Sequence, residues 1–300
     1  MGWTACVAGS VIAGCTPPPL TDSGVVGVFG KLGLGPGEFS YPRAISIGPD
    51  GSVYVVDKSA RVQRFSPDGT FELQWSMPEY RAGKPVGLTV ADDHRVLVAD
   101  THYHRVIVFD RDGHELARFG RLGNGDGEFQ LPTDVAVDTT GDIYVSEYNG
   151  NDRVTRWSPD YRFEKVVCAG TIAGLPLARP AAIDIDDEHT LWVADAVNHR
   201  ILHFTPDGRL LGAWGQMGRQ PGQLRYPYDI QCLPDGSILV CEFANNRLQW
   251  FDRTGRSLRV WGRQGRRLGE LWAPWGVDVA PDGRVYALDS LNARVQIIRP

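Results

Sequence analysis

The 300-residue sequence has 5 cysteines but no Cys-x-x-Cys pair, and it has no excess of basic charge. The first absence argues against a thiolate zinc site or a thiol redox motif. The net charge of −5 argues against a globally basic nucleic-acid-binding protein. A P-loop, a dinucleotide fingerprint and a Gly-x-Ser-x-Gly elbow are also missing, so the sequence lacks these signatures of nucleotide binding and serine hydrolysis.

Glycine and proline are abundant, with 35 and 20 residues. Both residues are unfavourable inside helices, which argues against a long helical bundle. The apolar fraction of 42% is high enough to form a core and argues against disorder. Many turn residues together with 30 aromatic side chains indicate many short strands.

The apolar run at residues 1–15 is too short for an ordinary membrane-spanning helix and suits a secretory signal. Ile12-Ala13-Gly14-Cys15 resembles the lipobox of bacterial lipoproteins, and residues 16–24 read as a tether. The resemblance implies a lipidated Cys15 and a membrane-anchored protein on the periplasmic or extracytoplasmic side of the bacterial cell envelope. No Lys or Arg precedes the run, so an ordinary signal or a simple tail remains an alternative. Without a signal the protein would be cytoplasmic.

Six repeats follow, and three columns set their register. A proline opens each repeat at intervals of 43 to 48 residues, a carboxylate closes the second strand, and an arginine opens the third. The prolines are Pro42, Pro85, Pro132, Pro180, Pro227 and Pro274. The carboxylates are Asp57, Asp100, Glu147, Asp195, Glu242 and Asp289, and the arginines are Arg61, Arg105, Arg153, Arg200, Arg247 and Arg294. A carboxylate and an arginine in every repeat predict a structural ion pair rather than a catalytic one, because buried charges need partners.

Each repeat contains four short apolar segments separated by Asp-Gly-type turns, which is typical of a β-propeller blade. The last repeat ends after its third strand, whereas an unpaired strand at residues 25–30 precedes the first repeat. We therefore predict an all-β, six-bladed propeller over residues 25–300, with four-stranded antiparallel blades. The N-terminal strand completes the last blade, which removes a free sheet edge.

The repeat resembles the NHL repeat, most clearly at Val193-Ala194-Asp195 and Asn198-His199-Arg200-Ile201 and in the Gly-Glu-Phe connectors. The resemblance covers nearly all of residues 25–300. It implies a six-bladed propeller that serves as a platform for proteins, RNA or ligands and is occasionally an enzyme. Fold alone does not decide among these functions.

The non-repeated residues predict a binding sector on the face shared by the connectors between blades and the loops after the second strands. Blades 5, 6 and 1 are adjacent in the ring and place aromatic and arginine residues there, a composition enriched in interface hot spots. Residues 201–300 hold 13 arginines against 9 acidic residues, which adds local positive charge. The predicted partner-binding residues are Tyr41, Arg43, Arg219, Tyr226, Tyr228, Arg263, Arg266, Arg267, Trp272 and Trp275. The alternative is that the aromatic rings fill gaps between blades.

Metal-dependent chemistry is a second reading. His102 and His104 could contribute to a zinc site, which requires further ligands. Asp134 and Asp229 occupy equivalent positions and could contribute to a central calcium site, as the resemblance to gluconolactonase-like propellers implies. A third resemblance, to the lyase of peptide-amidating enzymes, is disfavoured because no histidine follows any opening proline.

The sequence therefore favours a monomeric, non-catalytic binding platform for a protein, peptide or glycan in the envelope, with no cofactor and no catalytic residues assigned. A metal-dependent enzyme of lactonase or lyase type, with Ca or Zn, is the alternative. Single-stranded RNA binding is a further alternative if the protein is cytoplasmic, because aromatic rings with arginine also stack on bases.

Overall fold

The computed structural model describes residues 24–299, which form six four-stranded antiparallel sheets. The first strand is β1 (Val25–Phe29). Blade 1 comprises β2 (Pro42–Ile47), β3 (Val53–Asp57), β4 (Arg61–Phe65) and β5 (Phe71–Ser76). Blade 2 comprises β6 (Gly87–Val90), β7 (Val96–Asp100), β8 (Arg105–Phe109) and β9 (Glu115–Phe119). Blade 3 comprises β10 (Leu131–Val137), β11 (Ile143–Tyr148), β12 (Arg153–Trp157) and β13 (Phe163–Ala169).

A short hairpin of β14 (Thr171–Ile172) and β15 (Leu175–Pro176) separates blades 3 and 4. Blade 4 comprises β16 (Pro180–Ile185), β17 (Leu191–Asp195), β18 (Arg200–Phe204) and β19 (Leu210–Trp214). Blade 5 comprises β20 (Pro227–Cys232), β21 (Ile238–Glu242), β22 (Arg247–Phe251) and β23 (Ser257–Trp261). Blade 6 comprises β24 (Gly276–Val279), β25 (Val285–Asp289) and β26 (Arg294–Ile298) together with β1. Two single-turn 3₁₀ helices, Thr101–Tyr103 and Ser290–Asn292, complete the described elements.

The last blade is closed by the strand that precedes the first repeat. β1 pairs antiparallel with β26, and its residues Val25 and Phe29 lie opposite Ile298 and Val295. This pairing confirms the predicted six-bladed ring and its closure. It also occupies the hydrogen-bonding edge that β26 would otherwise expose.

Burial changes from the centre of the ring to its rim and explains the sequence pattern of the strands. The second strands, such as β3 and β17, are buried at all five positions because neighbouring blades cover both faces. The outer strand β5 alternates between half-buried and exposed residues, since one of its faces meets solvent. Continuous apolar runs therefore mark inner strands, and alternating runs mark the rim.

The predicted ion pair is present in all six blades, at N···O distances between 2.5 and 3.1 Å. In blade 4, Arg200 binds Asp195 at 2.7 Å and donates further hydrogen bonds to the carbonyls of Ile172 and Leu175. The arginine thus fixes the connector between blades as well as the carboxylate. This contact confirms the prediction that the repeated carboxylate and arginine form a structural ion pair.

The Gly-Glu-Phe connectors are local capping units. Glu128 accepts a hydrogen bond from the Gly125 N–H at 3.0 Å, while the adjacent Phe129 is fully buried between blades. Glu38 and Phe39 repeat this arrangement in the preceding connector of the same type. These connectors therefore hold fixed positions on the face that carries the predicted binding sector.

The innermost strands approach each other closely, and Gly87 shows how closely. A Cβ atom at Gly87 would lie 2.3 Å from the Thr133 carbonyl oxygen and 2.6 Å from the Asp134 Cα. We expect Gly87→Ala to lower the free energy of unfolding by about 1–3 kcal/mol through overpacking. In urea titrations the control Gly212→Ala, which meets no atom within 4 Å, should change it by less than about 1 kcal/mol. Equal effects of the two substitutions would contradict this close approach.

The proposed signal segment 1–15 and the tether 16–24, except for Gly24, lie outside the described residues, as do Cys6 and Cys15. Within the described chain, Cys168 and Cys241 are buried and Cys232 is half-buried, and all three are free thiols. No helix in residues 24–299 is long and apolar enough to cross a membrane.

Candidate functional site

A central cavity of about 190 Å³ lies between the innermost strands β2, β6, β10, β16, β20 and β24. Arg43, Tyr228 and Trp275 line it together with four aspartates. The aspartates are Asp134, Asp184, Asp229 and Asp278. The cavity therefore combines acidic groups with an aromatic and cationic edge.

Each of the four aspartates joins its own blade to the next one. Asp134 accepts a hydrogen bond from the Ile183 N–H at 3.0 Å, and Asp229 accepts one from the Val277 N–H at 2.8 Å. The other two bonds run from the Cys232 N–H to Asp184 at 2.6 Å and from the Ile47 N–H to Asp278 at 2.6 Å. The Ser46 hydroxyl continues the series by accepting the Val90 N–H at 3.1 Å. These carboxylates therefore link consecutive blades around the channel.

The position of these carboxylates makes them harder to ionise. Burial raises the pKa of Asp134 to about 7, that of Asp184 to about 6 and that of Asp278 to about 7. Burial raises the pKa of Asp229 well above its ordinary value, and the charge of Asp134 adds to the effect. The main-chain N–H donors lower the same pKa values but do not cancel the rise.

An aromatic and arginine group, here called the mouth cluster, comprises Tyr41, Arg43, Arg179, Tyr228, Phe243 and Trp275. The Tyr228 ring stacks on Phe243 at 4.7 Å and meets Trp275 at 4.9 Å, and Tyr41 packs edge-on against Trp275 at 5.7 Å. Arg43 lies 4.3 Å from the Trp275 ring centre. Blades 4, 5, 6 and 1 all contribute, so the cluster crosses three blade boundaries.

Local backbone geometry places two of these side chains. Tyr41 and Arg179 immediately precede an opening proline and adopt positive φ values of 52° and 57°. Their carbonyls accept hydrogen bonds from Lys58 and Ala196, the residues after the second strands of their own blades. The same left-handed turn occurs at Tyr226, whose ring meets Tyr228 at 6.2 Å.

The two arginines of the mouth cluster differ from the six arginines of the repeat. The repeat arginines bind carboxylates, whereas Arg43 and Arg179 contact aromatic faces. Within residues 24–299, the Nε atoms of both are buried and have no hydrogen-bond partner. A buried N–H without an acceptor costs about 1–3 kcal/mol, so a hydrogen-bond acceptor beside either guanidinium would stabilise the site.

The structure divides the predicted sector into two parts. Tyr41, Arg43, Tyr226, Tyr228 and Trp275 come together at the channel mouth. The remaining residues have other contacts. Trp272 packs under Arg266 at 4.5 Å, and Arg263 pairs with Glu270 at 3.0 Å. Arg219 lines a separate cavity, and the Arg267 main chain binds Glu270 and Arg294.

Two members of the mouth cluster were not predicted. Phe243 directly follows the closing carboxylate of blade 5, and the corresponding residues of most other blades are not aromatic. Only Tyr148 and Phe243 are aromatic in this column, and that departure from the repeat could have identified Phe243. Arg179 precedes the opening proline of blade 4, which lies outside the sector that the sequence predicts for blades 5, 6 and 1.

The two candidate histidine ligands face different parts of the chain, whereas the two candidate aspartate ligands share the channel. His102 Nδ1 contacts the main chain of Lys84, and His104 Nδ1 contacts the carbonyl of Gln130, so the two rings face different connectors. Asp134 and Asp229 share the channel, where each carboxylate receives main-chain hydrogen bonds. No group of three or more His, Cys, Asp or Glu residues within 24–299 has the arrangement of a metal site.

The geometry defines a six-bladed β-propeller with an aromatic and cationic channel mouth. The NHL repeat family model matches residues 83–109 and 129–157. NHL repeat-containing protein 3 of Homo sapiens is 30% identical over 116 residues, which are 38% of this chain and 32% of that protein. The Mus musculus protein of the same name is 27% identical over 209 residues, which are 64% of this chain and 58% of that protein. The chain thus spans less than two thirds of these relatives, and it is a propeller that carries NHL repeats.

Solved structures share the fold at low sequence identity. A streptogramin B lyase has a TM-score of 0.65 at 17% identity, covering 89% of this chain and 95% of the lyase. A gluconolactonase from Xanthomonas campestris has a TM-score of 0.66 at 15% identity, covering 87% of each chain. At these identities the similarity supports the fold alone.

Proposed function

We propose that the protein is a non-catalytic binding propeller whose protein, peptide or glycan partner docks on the mouth cluster. The observation that carries this proposal is the contiguous set of aromatic rings, with arginines that form no ion pair within residues 24–299, contributed by four consecutive blades. Aromatic and arginine side chains dominate interface hot spots because they provide large contact areas and directional donors. The channel carboxylates hold blades together, which supports a structural role for them.

We also propose that the protein works in the bacterial cell envelope as a lipoprotein anchored through Cys15. The support is the lipobox-like sequence Ile12-Ala13-Gly14-Cys15 and the Pro-rich tether after it. A lipoprotein carries several acyl chains, and more than one chain is needed for stable membrane anchoring. In that location the propeller would meet envelope proteins and glycans rather than RNA.

Replacing Trp275 should test the binding proposal. The full-length chain is crosslinked and captured from membranes of its native host, and the partner is quantified by mass spectrometry. We expect Trp275→Ala to reduce partner recovery about tenfold or more, since a central aromatic anchor typically supplies that much affinity. The matched control Trp214→Ala, on the outermost strand of blade 4, should leave recovery unchanged.

Unchanged recovery with Trp275→Ala would rule out the mouth cluster as the docking site. Recovery of the chain only from the soluble fraction would contradict anchoring and would make RNA the partner to examine. Melting curves of both variants show whether any loss arises from unfolding.

A metal-dependent enzyme of lactonase or lyase type is a second candidate. It is favoured by the four channel carboxylates, three of which have pKa values raised to about 6 or 7, near the range useful for proton transfer. Propellers of similar fold include a streptogramin B lyase and a gluconolactonase. Stoichiometric Ca or Zn in the purified protein, lost on Asp229→Asn, would favour this candidate over the binding platform.

A further inference from the structure

Arg43 and Arg179 are the starting point, because neither guanidinium forms an ion pair within residues 24–299, whereas all six repeat arginines do. Both Nε–H groups are buried without an acceptor in the described chain. Burial lowers the pKa of the Arg43 guanidinium, and the positive charge of Arg179 acts in the same direction. A guanidinium remains charged in proteins, so this pair places positive charge at the mouth without a direct ion pair in residues 24–299.

The two arginines flank a pair of aromatic rings. Arg179 lies 5.0 Å from the Tyr228 ring centre, Tyr228 lies 4.9 Å from Trp275, and Arg43 lies 4.3 Å from Trp275. The order around the mouth is therefore Arg179, Tyr228, Trp275 and Arg43, with the two aromatic rings between the two cations. The ring faces satisfy the flat surfaces of the guanidinium groups but offer no acceptor to their N–H edges.

The channel carboxylates do not supply the missing acceptor. Asp229 accepts the Ile230 N–H at 2.8 Å and the Val277 N–H at 2.8 Å, so each of its oxygens faces a main-chain donor. The two carboxylate oxygens of Asp278 likewise accept hydrogen bonds from the Val279 N–H and the Ile47 N–H. The donors of Arg43 and Arg179 are therefore not matched by these two carboxylates.

We propose that Arg43 and Arg179 recognise a carboxylate group of a ligand whose apolar or aromatic body lies on Tyr228 and Trp275. The inference rests on the proposed function and names the chemistry that the mouth cluster would recognise. A planar carboxylate matches the donor fork of arginine. A singly charged group also suits the site better than a phosphate dianion, because four acidic residues line the cavity to which the mouth opens.

Two sources carry this chemistry, a small aromatic acid and the C-terminus of a peptide, and calorimetry with the full chain separates them. The small-acid probe is 3-phenylpropionate, with 3-phenylpropanamide as its neutral counterpart. The peptide probe is Gly-Gly-Phe with a free C-terminus, with the amidated peptide as its counterpart. At constant ionic strength, we expect at least one acid to bind about tenfold or more tightly than its amide.

Arg43→Met and Arg179→Met retain much of the apolar stem and should each remove this preference for the acid. Arg81→Met, in the connector between blades 1 and 2 and outside the mouth cluster, should preserve it. A preference seen only with the peptide identifies a C-terminus, and one seen only with 3-phenylpropionate identifies a small acid. Either result supports the inference.

The inference is overturned if neither acid binds saturably up to about 10 mM, a range that includes weak fragment binding. Equal binding of acid and amide, or a preference that survives both methionine variants, also overturns it. These results are separate from the fate of the proposed function. Partner capture that depends on Trp275 but not on Arg43 or Arg179 would retain the binding platform and reject carboxylate recognition.

Discussion

Replacing Arg200 by methionine is expected to lower the free energy of unfolding by about 3–5 kcal/mol, because it leaves a fully buried carboxylate without its counter-ion. Asp195 is 0% exposed and binds Arg200 at 2.7 Å. The same arginine donates to the carbonyls of Ile172 and Leu175, so the connector between blades 3 and 4 also loses two donors. Urea titration followed by intrinsic fluorescence measures the change.

Arg209→Met is the matched control, since this exposed arginine lies at the rim of the same blade and its replacement should change stability by less than about 0.5 kcal/mol. If Arg200→Met were as mild as Arg209→Met, the repeated ion pair would not be a structural requirement of the blade. The expected destabilisation would confirm that the pair belongs to the scaffold rather than to a reaction.

The stability of the propeller is expected to fall by about 1–3 kcal/mol between pH 6.5 and pH 8. The reason is the raised pKa of the channel carboxyls, which is about 7 for Asp134 and Asp278 and higher than ordinary for Asp229. A carboxyl with a higher pKa in the folded state binds its proton more tightly there. Ionisation therefore removes stability as pH rises through the folded pKa.

The window starts at pH 6.5 because histidine opposes the trend below it. Burial lowers the pKa of His203 to about 4, so its contribution to stability increases with pH up to about 6.5, the unfolded value. Above that pH the unfolded imidazole also becomes neutral, so the opposing contribution of His203 fades. The remaining change of stability with pH then reflects the ionisation of the channel carboxyls.

Asp278→Asn should reduce the decline in stability between pH 6.5 and pH 8, since it removes one of the titrating groups. Asp207→Asn is the control, because the pKa of this exposed carboxyl is lowered and it stays ionised throughout the window. A stability that rises over this pH range, or a slope that is the same in wild type and Asp278→Asn, would contradict the burial of charge in the channel.

The ring and its closure could be predicted from sequence because blades are repeated local units. The opening proline, the closing carboxylate and the arginine occur six times, and each has a local reason to be there. The unpaired strand β1 was identified by the strand that the last repeat lacks. Repetition therefore reveals the scaffold without any knowledge of long-range packing.

The candidate site was only partly predictable, because it depends on contacts between blades. Tyr228 and Trp275 stand out in the aligned repeats, and the structure places their rings 4.9 Å apart. Arg179 lies in another blade, and only the ring geometry places it 5.0 Å from Tyr228. The connector residue Arg263 was predicted by the same aromatic and arginine composition, but it forms an ion pair with Glu270. Sequence shows which residues are unusual, and tertiary packing decides which of them meet.

The channel carboxylates show a similar limit. Asp134 and Asp229 occupy one position of the innermost strand, whereas Asp184 and Asp278 lie two residues further along it. No single repeated column therefore indicates that all four share a channel. The ring brings the innermost strands together, and the raised pKa values follow from that convergence.

Docking at the channel mouth is tested most directly by site-specific photocrosslinking in native membranes. A photoreactive phenylalanine replaces Tyr226, which borders the mouth cluster, or Tyr161, which lies in a turn at the opposite end of blade 3. We predict one dominant partner from position 226 and none from position 161, with the crosslink lost when Trp275→Ala is added. A partner captured from position 161 instead, or a crosslink at position 226 that survives Trp275→Ala, would contradict recognition by the mouth cluster.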